Sequence, residues 1–153
     1  MPRRVKVILD NVRSHHNVGS VFRTADAFGM DEIILVGITP RPPHRDIHKT
    51  ALGATESVAW RHFESSSEIL EELRDAGFKI VSIEQHGSAI ELPEAGSIGS
   101  DTLAIVLGNE VQGVSNDWLE NSDEIWEIEQ KGIKKSLNVS VCAGIVMHHL
   151  SHS

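Results

Sequence analysis

Short, nearly continuous apolar runs alternate along this chain with stretches in which apolar residues return every third or fourth position. The runs at residues 5–9, Glu32–Val36, Lys79–Ile83 and Thr102–Leu107 are rich in Val, Ile and Leu, and they predict strands buried on both faces. Residues 58–63 and 124–128 add a third and a sixth strand in chain order. Between the runs, Val18, Val21, Phe22, Ala25 and Phe28 fall at helical spacing. Asn17 is a candidate N-cap there and Gly29 a stop. Ser65 with Glu68 makes a capping box for a helix that presents Ile69, Leu70, Leu73 and Ala76 and ends at Gly77. A short helix is expected near Asn116–Glu120. Strands alternating with helices, with continuous apolar strand cores, imply an α/β domain with a largely parallel sheet, one domain over residues 1–153.

The last element departs from the amphipathic rule. From 137 to 150 the chain is apolar on nearly every side (Leu137, Val139, Val141, Ile145, Val146), a pattern that requires burial. It follows a glycine-broken polar loop carrying Lys131, Lys134, Lys135, Ser136 and Asn138, so donors gather at the mouth of a buried helix. Ser136 or Asn138 can cap that helix or serve chemistry, and the local pattern leaves both open. Residues 39–49 read as a long loop stiffened by three prolines, and such loops are often functional. The 85–101 segment resists placement.

Charge changes the picture more than composition does. The net charge of −8 argues against a polyanionic partner until its distribution is examined. Residues 1–61 hold nine Lys and Arg against six Asp and Glu, whereas the remainder holds five against 16. Arg13, Arg23, Arg41, Arg45 and Lys49, with the lysines after Glu129 (Lys131, Lys134 and Lys135), can therefore form a basic face that meets phosphate. Cys142 is the one cysteine, which excludes an intramolecular disulfide and points to a reducing, cytoplasmic setting; no apolar run is long enough to span a bilayer, and no membrane partner is expected.

Three polar clusters follow strands: Asn17 with Arg23, Asn109 with Glu110, and Ser136 with Asn138. In an open parallel sheet, loops beyond the carboxyl ends of the strands can converge on one ligand. The turn GNEVQG at residues 108–113 is the most pointed of them. A carboxylate set between an apolar strand and a glycine turn needs partners if it is buried, and the glycines permit close backbone approach. Neither GxGxxG nor GxxxxGK[ST] occurs, so a standard nucleotide fingerprint is missing. The adjacent pairs His15-His16 and His148-His149 diverge on any regular element, and no metal-ligand spacing is present, so no metal is expected.

NVGSVFRTADAFG at 17–29, KTALGATE at 49–56, LGNEVQGVS at 107–115 and IEQKGIKKSLNVSVCAGI at 128–145, in this order, resemble the SpoU branch of the SPOUT methyltransferases. The resemblance implies an α/β knot in which the C-terminal helix is threaded through a preceding loop as a deep trefoil knot. It implies S-adenosylmethionine held by Ile83, Glu84, Leu107, Gly108, Asn109, Gly113, Ile128, Ile133, Ser136 and Leu137, largely through main chain. It implies Arg23 as the catalytic arginine, supported by Asn17, Glu110, Ser136 and Asn138, and a homodimer joined through the knot region with Arg23 near the partner's cofactor. The substrate would be tRNA or rRNA, methylated at a ribose 2′-hydroxyl. A module of the same fold that binds cofactor or RNA without catalysis is the alternative, although such a binder would have no use for this polar set. A metal hydrolase would be the third, but it lacks a ligand motif.

Overall fold

The computed structural model describes residues 3–134 and 136–152; Lys135, expected among the donors of the C-terminal loop, lies outside them. In chain order the elements are β1 (Arg4–Asp10), α1 (His15–Phe28), β2 (Glu32–Val36), α2 (Arg45–Ala51), α3 (Ala54–Ser57), β3 (Trp60–Phe63), α4 (Ser66–Asp75), β4 (Lys79–Ile83), β5 (Ile90–Glu91), a 3₁₀ turn at Ala95–Ser97, β6 (Thr102–Leu107), α5 (Asn116–Glu120), β7 (Glu124–Glu127) and α6 (Val139–Ser151). The strands form one sheet in the order β3-β2-β1-β6-β4-β7-β5. Every pairing in it is parallel.

Both faces of that sheet are covered, which is why its strands are apolar without alternation. Val5, Val7 and Leu9 of β1 join α1, α2 and α6 in one core; Ile8 joins Ile34, Ile69, Leu73 and Trp118, from β2, α4 and α5, in the other. All six strands expected from the apolar runs are present. Strand β5 is an additional two-residue strand within the stretch that could not be placed, and its burial is too slight to leave a pattern.

Four local expectations need correction. The N-cap of α1 is Ser14, whose hydroxyl accepts from the Asn17 amide at 3.2 Å; Asn17 lies inside the first turn, because helix geometry continues outward through His15 and His16. Ser65 precedes α4 but makes no capping hydrogen bond, its hydroxyl sharing one with Ser67 instead. The 39–49 loop closes into α2 from Arg45 onward. Helix α6 is only half covered: Val139, Ala143, Val146, Met147 and Leu150 are buried, but Val141 and Ile145 are 51% and 39% exposed.

On the α4 side, Glu32 accepts from Arg61 at 2.6 and 3.1 Å and meets Lys6 at 3.1 Å, while Arg61 also bridges to Glu72. Burial pushes the Glu32 carboxyl up, yet the hydrogen bonds from Arg61 and Lys6 outweigh it and hold Glu32 below its ordinary value of 4.5; the hydrogen bond from Arg61 likewise holds Glu72 down. Depressed carboxylates contribute stability that is present above the ordinary value and lost as pH falls through the folded one. Arg61→Ala should therefore cost about 1–2 kcal/mol near neutrality, solvent screening of the half-exposed arginine keeping it below a fully buried pair. In urea melts, that deficit should shrink progressively as pH falls below the ordinary carboxylate range, because carboxyls that take up a proton no longer need a partner.

Candidate active site

The parallel strands put the carboxyl ends of β4, β6 and β7 side by side. A cavity of about 610 Å³ opens there. Its walls come from four stretches of the chain: Ile83 to Gln85, Leu107 to Val114 with Asn116 and Leu119, Glu127 and Ile128, and Ser136 to Val139 with Cys142. Three carboxylates, Glu84, Glu110 and Glu127, belong to the lining, and no Lys or Arg does among the described residues. A cationic small molecule with an apolar body suits such a wall.

The turn after β6 owes its shape to Asn109. Its side-chain amide donates to the Asn11 carbonyl at 2.8 Å, its side-chain oxygen accepts from the amides of Val111 and Gln112, and its backbone exchanges both hydrogen bonds with Gly113. All these polar groups being engaged, Asn109 shapes the wall. Glu84 supports the same turn from β4 by accepting from the Val114 amide at 2.7 Å. A Cβ on Gly108 would lie 2.2 Å from the Gly113 carbonyl carbon and the Val114 nitrogen, so only glycine fits where the strand meets its returning turn.

Glu110 reaches from this turn to the entrance of α1. Its carboxylate accepts from the Arg13 amide at 2.9 Å, the Ser14 amide at 3.0 Å and the Asn17 side chain at 3.2 Å. Burial raises its pKa, but these donors outweigh that effect and hold it below the usual carboxylate range. The group is thus ionised at neutral pH and works as a clip between cavity wall and helix; it is poorly suited to hold a proton. Asn138 is the N-cap of α6, accepting from Ser140 and Val141 at 2.9 and 3.3 Å. Cys142 lines the cavity, but burial and neighbouring Glu84 push its thiol up to about 11, so it is a poor nucleophile.

Of the residues expected at the cofactor, Ile83, Glu84, Leu107, Gly108, Asn109, Gly113, Ile128, Ser136 and Leu137 line this cavity, as do Glu110 and Asn138. Ile133 does not. It is 97% exposed and outside the lining. Asn17 joins the site only through Glu110. Arg23 is exposed and outside the lining, because Val18, Val21, Phe22 and Ala25 turn the apolar face of α1 to the core and leave Arg23 on the outside. It has no hydrogen bond or ion pair among the described residues. Arg13, Arg41, Arg45, Lys49 and Lys134 are all exposed, Arg45 and Lys49 near Asp46 at 3.9 and 3.7 Å.

Sequence reasoning missed Val139 and Cys142, which share a helix face with Asn138 at i, i+1 and i+4, and Asp10, buried at the end of β1 where it accepts from the Ser115 amide at 2.8 Å. An acid ending an apolar run was the available signal for the latter. Among the described residues there is no cluster of three or more metal-ligating side chains, and no helix is long and apolar enough to cross a membrane.

Comparison with known proteins agrees with this geometry. The chain is 32% identical over 145 residues to a putative TrmH family tRNA/rRNA methyltransferase of Staphylococcus aureus, covering 94% of this chain and 57% of that protein. It is equally similar to the 23S rRNA (guanosine-2'-O-)-methyltransferase RlmB of Neisseria meningitidis, over 92% of this chain and 55% of the relative. The crystal structure of an AdoMet-bound rRNA methyltransferase from Sinorhizobium meliloti superposes with a TM-score of 0.88 at 26% identity, covering 98% of this chain and 56% of that one. The chain thus spans little more than half the length of these relatives. With a family model matching residues 4–148, the chain belongs to the SpoU rRNA methylase family.

Proposed function

We propose that the protein transfers a methyl group from S-adenosylmethionine to a ribose 2′-hydroxyl of tRNA or rRNA. The observation that carries this reading is the cavity at the ends of β4, β6 and β7, acidic and partly apolar, with Glu110 tying its wall to the helix that bears Arg23. A lining with three carboxylates and, among the described residues, no Lys or Arg favours the cofactor's sulfonium and ammonium charges, and Gly108 lets β6 meet its returning turn closely enough to shape that wall. The relative from N. meningitidis, named for guanosine 2′-O-methylation, supports the ribose as target.

When bound, S-adenosylmethionine supplies an electrophilic methyl group on sulfur. The chain's part is to align the attacking oxygen with it and to exclude alternatives. Glu110 fixes Arg13, Ser14 and Asn17, and Ser136 and Asn138 belong to the same cavity wall. Arg23 orients an RNA phosphate and offsets the charge developing on the hydroxyl oxygen, and the proton that oxygen gives up on accepting the methyl group passes to solvent and not to the guanidinium, since arginine side chains stay protonated in proteins. The exposed Arg13, Arg41, Arg45, Lys49 and Lys134 hold the RNA backbone.

The protein acts as a homodimer on this reading. Val141 and Ile145 leave an apolar stripe on α6, beside α1, and a second copy seated there brings its own Arg23 toward the cavity. Helix α6 threads through a preceding loop as the trefoil knot of the family pattern, and the setting is cytoplasmic, where the RNA is.

The test is incubation of the purified chain with methyl-tritiated cofactor and unmodified tRNA or rRNA, followed by nucleoside mass spectrometry. Label in a 2′-O-methylnucleoside is expected. Cofactor binding with no methylated nucleoside from either RNA would favour the non-catalytic module instead.

A further inference from the structure

Helices α1 and α2 meet unusually closely, because a Cβ on Gly19 would lie 2.3 Å from the Ile47 carbonyl oxygen and 2.0 Å from the Thr50 hydroxyl. Thr50 donates across the contact to the His16 carbonyl at 2.9 Å. This approach brings the His15 and His44 rings together, with centroids 4.0 Å apart and planes 35° from parallel. The His44 ring is held from one side, where its Nδ1 accepts from the Asp46 amide at 3.1 Å, so in the neutral ring the proton sits on Nε2.

The surroundings are cationic and wet. Arg13, Arg41, Arg45 and Lys49 are exposed on the two segments that carry the pair and outnumber Asp46, which lies 3.9 Å from Arg45 and 3.7 Å from Lys49; His44 is exposed with them and His15 half-exposed. The amide ends of the helices are already occupied, by Ser14 and Glu110 on α1 and by His44 itself on α2. What this surface offers a ligand is therefore aromatic faces on a basic ground. The chain has no tyrosine, and each of its four Phe and three Trp is buried or half-buried. Histidines are the exposed rings it has.

We propose that the His15–His44 pair is a platform on which an unpaired base of the substrate RNA stacks, next to the nucleotide being methylated. The proposal rests on the RNA-methylating reading above and adds two residues to it. Unstacked bases in RNA loops are held by aromatic side chains, and phosphate contacts position the strand beside them. The platform begins one residue beyond the Ser14 amide that Glu110 holds, and Glu110 lines the cofactor cavity, so the stacked base flanks the reacting ribose.

Two substitutions separate stacking from capping. His44→Asn retains an acceptor for the Asp46 amide but removes the ring. His44→Phe retains a ring but removes the acceptor and any charge. KM for RNA, kcat, cofactor affinity by calorimetry and melting temperature would be measured for each. His44→Asn should raise KM for RNA about tenfold, in line with loss of one base–aromatic contact, with kcat, cofactor affinity and melting temperature held; His44→Phe should recover most of the loss. An unchanged KM in His44→Asn, or a His44→Phe variant as weak as His44→Asn, overturns the platform alone. If a His44 variant melts early, His15→Asn and His15→Phe carry the same comparison with the same outcomes. A wild-type chain that methylates no RNA overturns the parent reading, and the platform with it.

Discussion

Replacing Arg23 by lysine should lower methyl transfer about a hundredfold or more, in the range seen when one group that stabilises developing charge is lost, while cofactor affinity stays within about twofold. The helix should not notice the change, since Arg23 is exposed and makes no hydrogen bond or ion pair among the described residues. Lysine keeps the charge but loses the planar fork that grips phosphate with two parallel hydrogen bonds. Single-turnover assays beside calorimetry with the cofactor separate the two effects, and full turnover by Arg23→Lys would remove arginine from the mechanism. Because Arg23 lies outside the cavity of its own chain, a second measurement asks whose cavity it serves. Mixed dimers of Arg23→Ala with a variant whose cavity is blocked should regain activity if the arginine crosses the interface, since one of the two sites is then intact.

The blocking variant is Gly108→Ala, for which the largest structural effect is expected. The added methyl would meet backbone atoms of Gly113 and Val114 at 2.2 Å, and backbone cannot rotate aside. Relief requires opening the paired Asn109–Gly113 hydrogen bonds and drawing Val114 off Glu84. Overpacking of this kind costs about 1–3 kcal/mol, and the cavity wall moves with it. Cofactor affinity should fall by about tenfold or more, a loss of about 1.4 kcal/mol per decade. Gly29→Ala is the control. Its Cβ would touch nothing within 4 Å, but the residue sits at φ 69°, so a cost of about 1–2 kcal/mol should appear in melts with cofactor affinity unchanged. Equal cofactor affinity in Gly108→Ala and wild type would place the cofactor somewhere other than this cavity.

Much of the framework was legible because every strand except β5 carries its own signal. Residues 103–107 are apolar without interruption since both faces of β6 are covered, and no other part of the chain is needed to see that. The glycine turn at 108–113 could be marked as special for a similarly local reason: a carboxylate among glycines after a buried strand must find donors. Which donors it finds is a different matter. Arg13 and Ser14, 97 and 96 residues away, supply them through main-chain amides, which have no signature in side-chain identity.

The misplacements follow the same division. Asn17 looked like a cap because apolar spacing begins at Val18, but the helix extends through two histidines that the hydrophobic pattern does not count. Helix α6 looked wholly buried because composition records apolarity and says nothing of whether this chain or another covers Val141 and Ile145. By itself, then, the amino-acid sequence determined the strands, most of the helices and the residue types of the site, since these depend on neighbours a few positions away. Only the tertiary structure decided that Glu110 clips α1 to the cavity wall, that Arg23 stands outside the cavity and that two histidines stack, because each depends on the distance between segments that chain order leaves free.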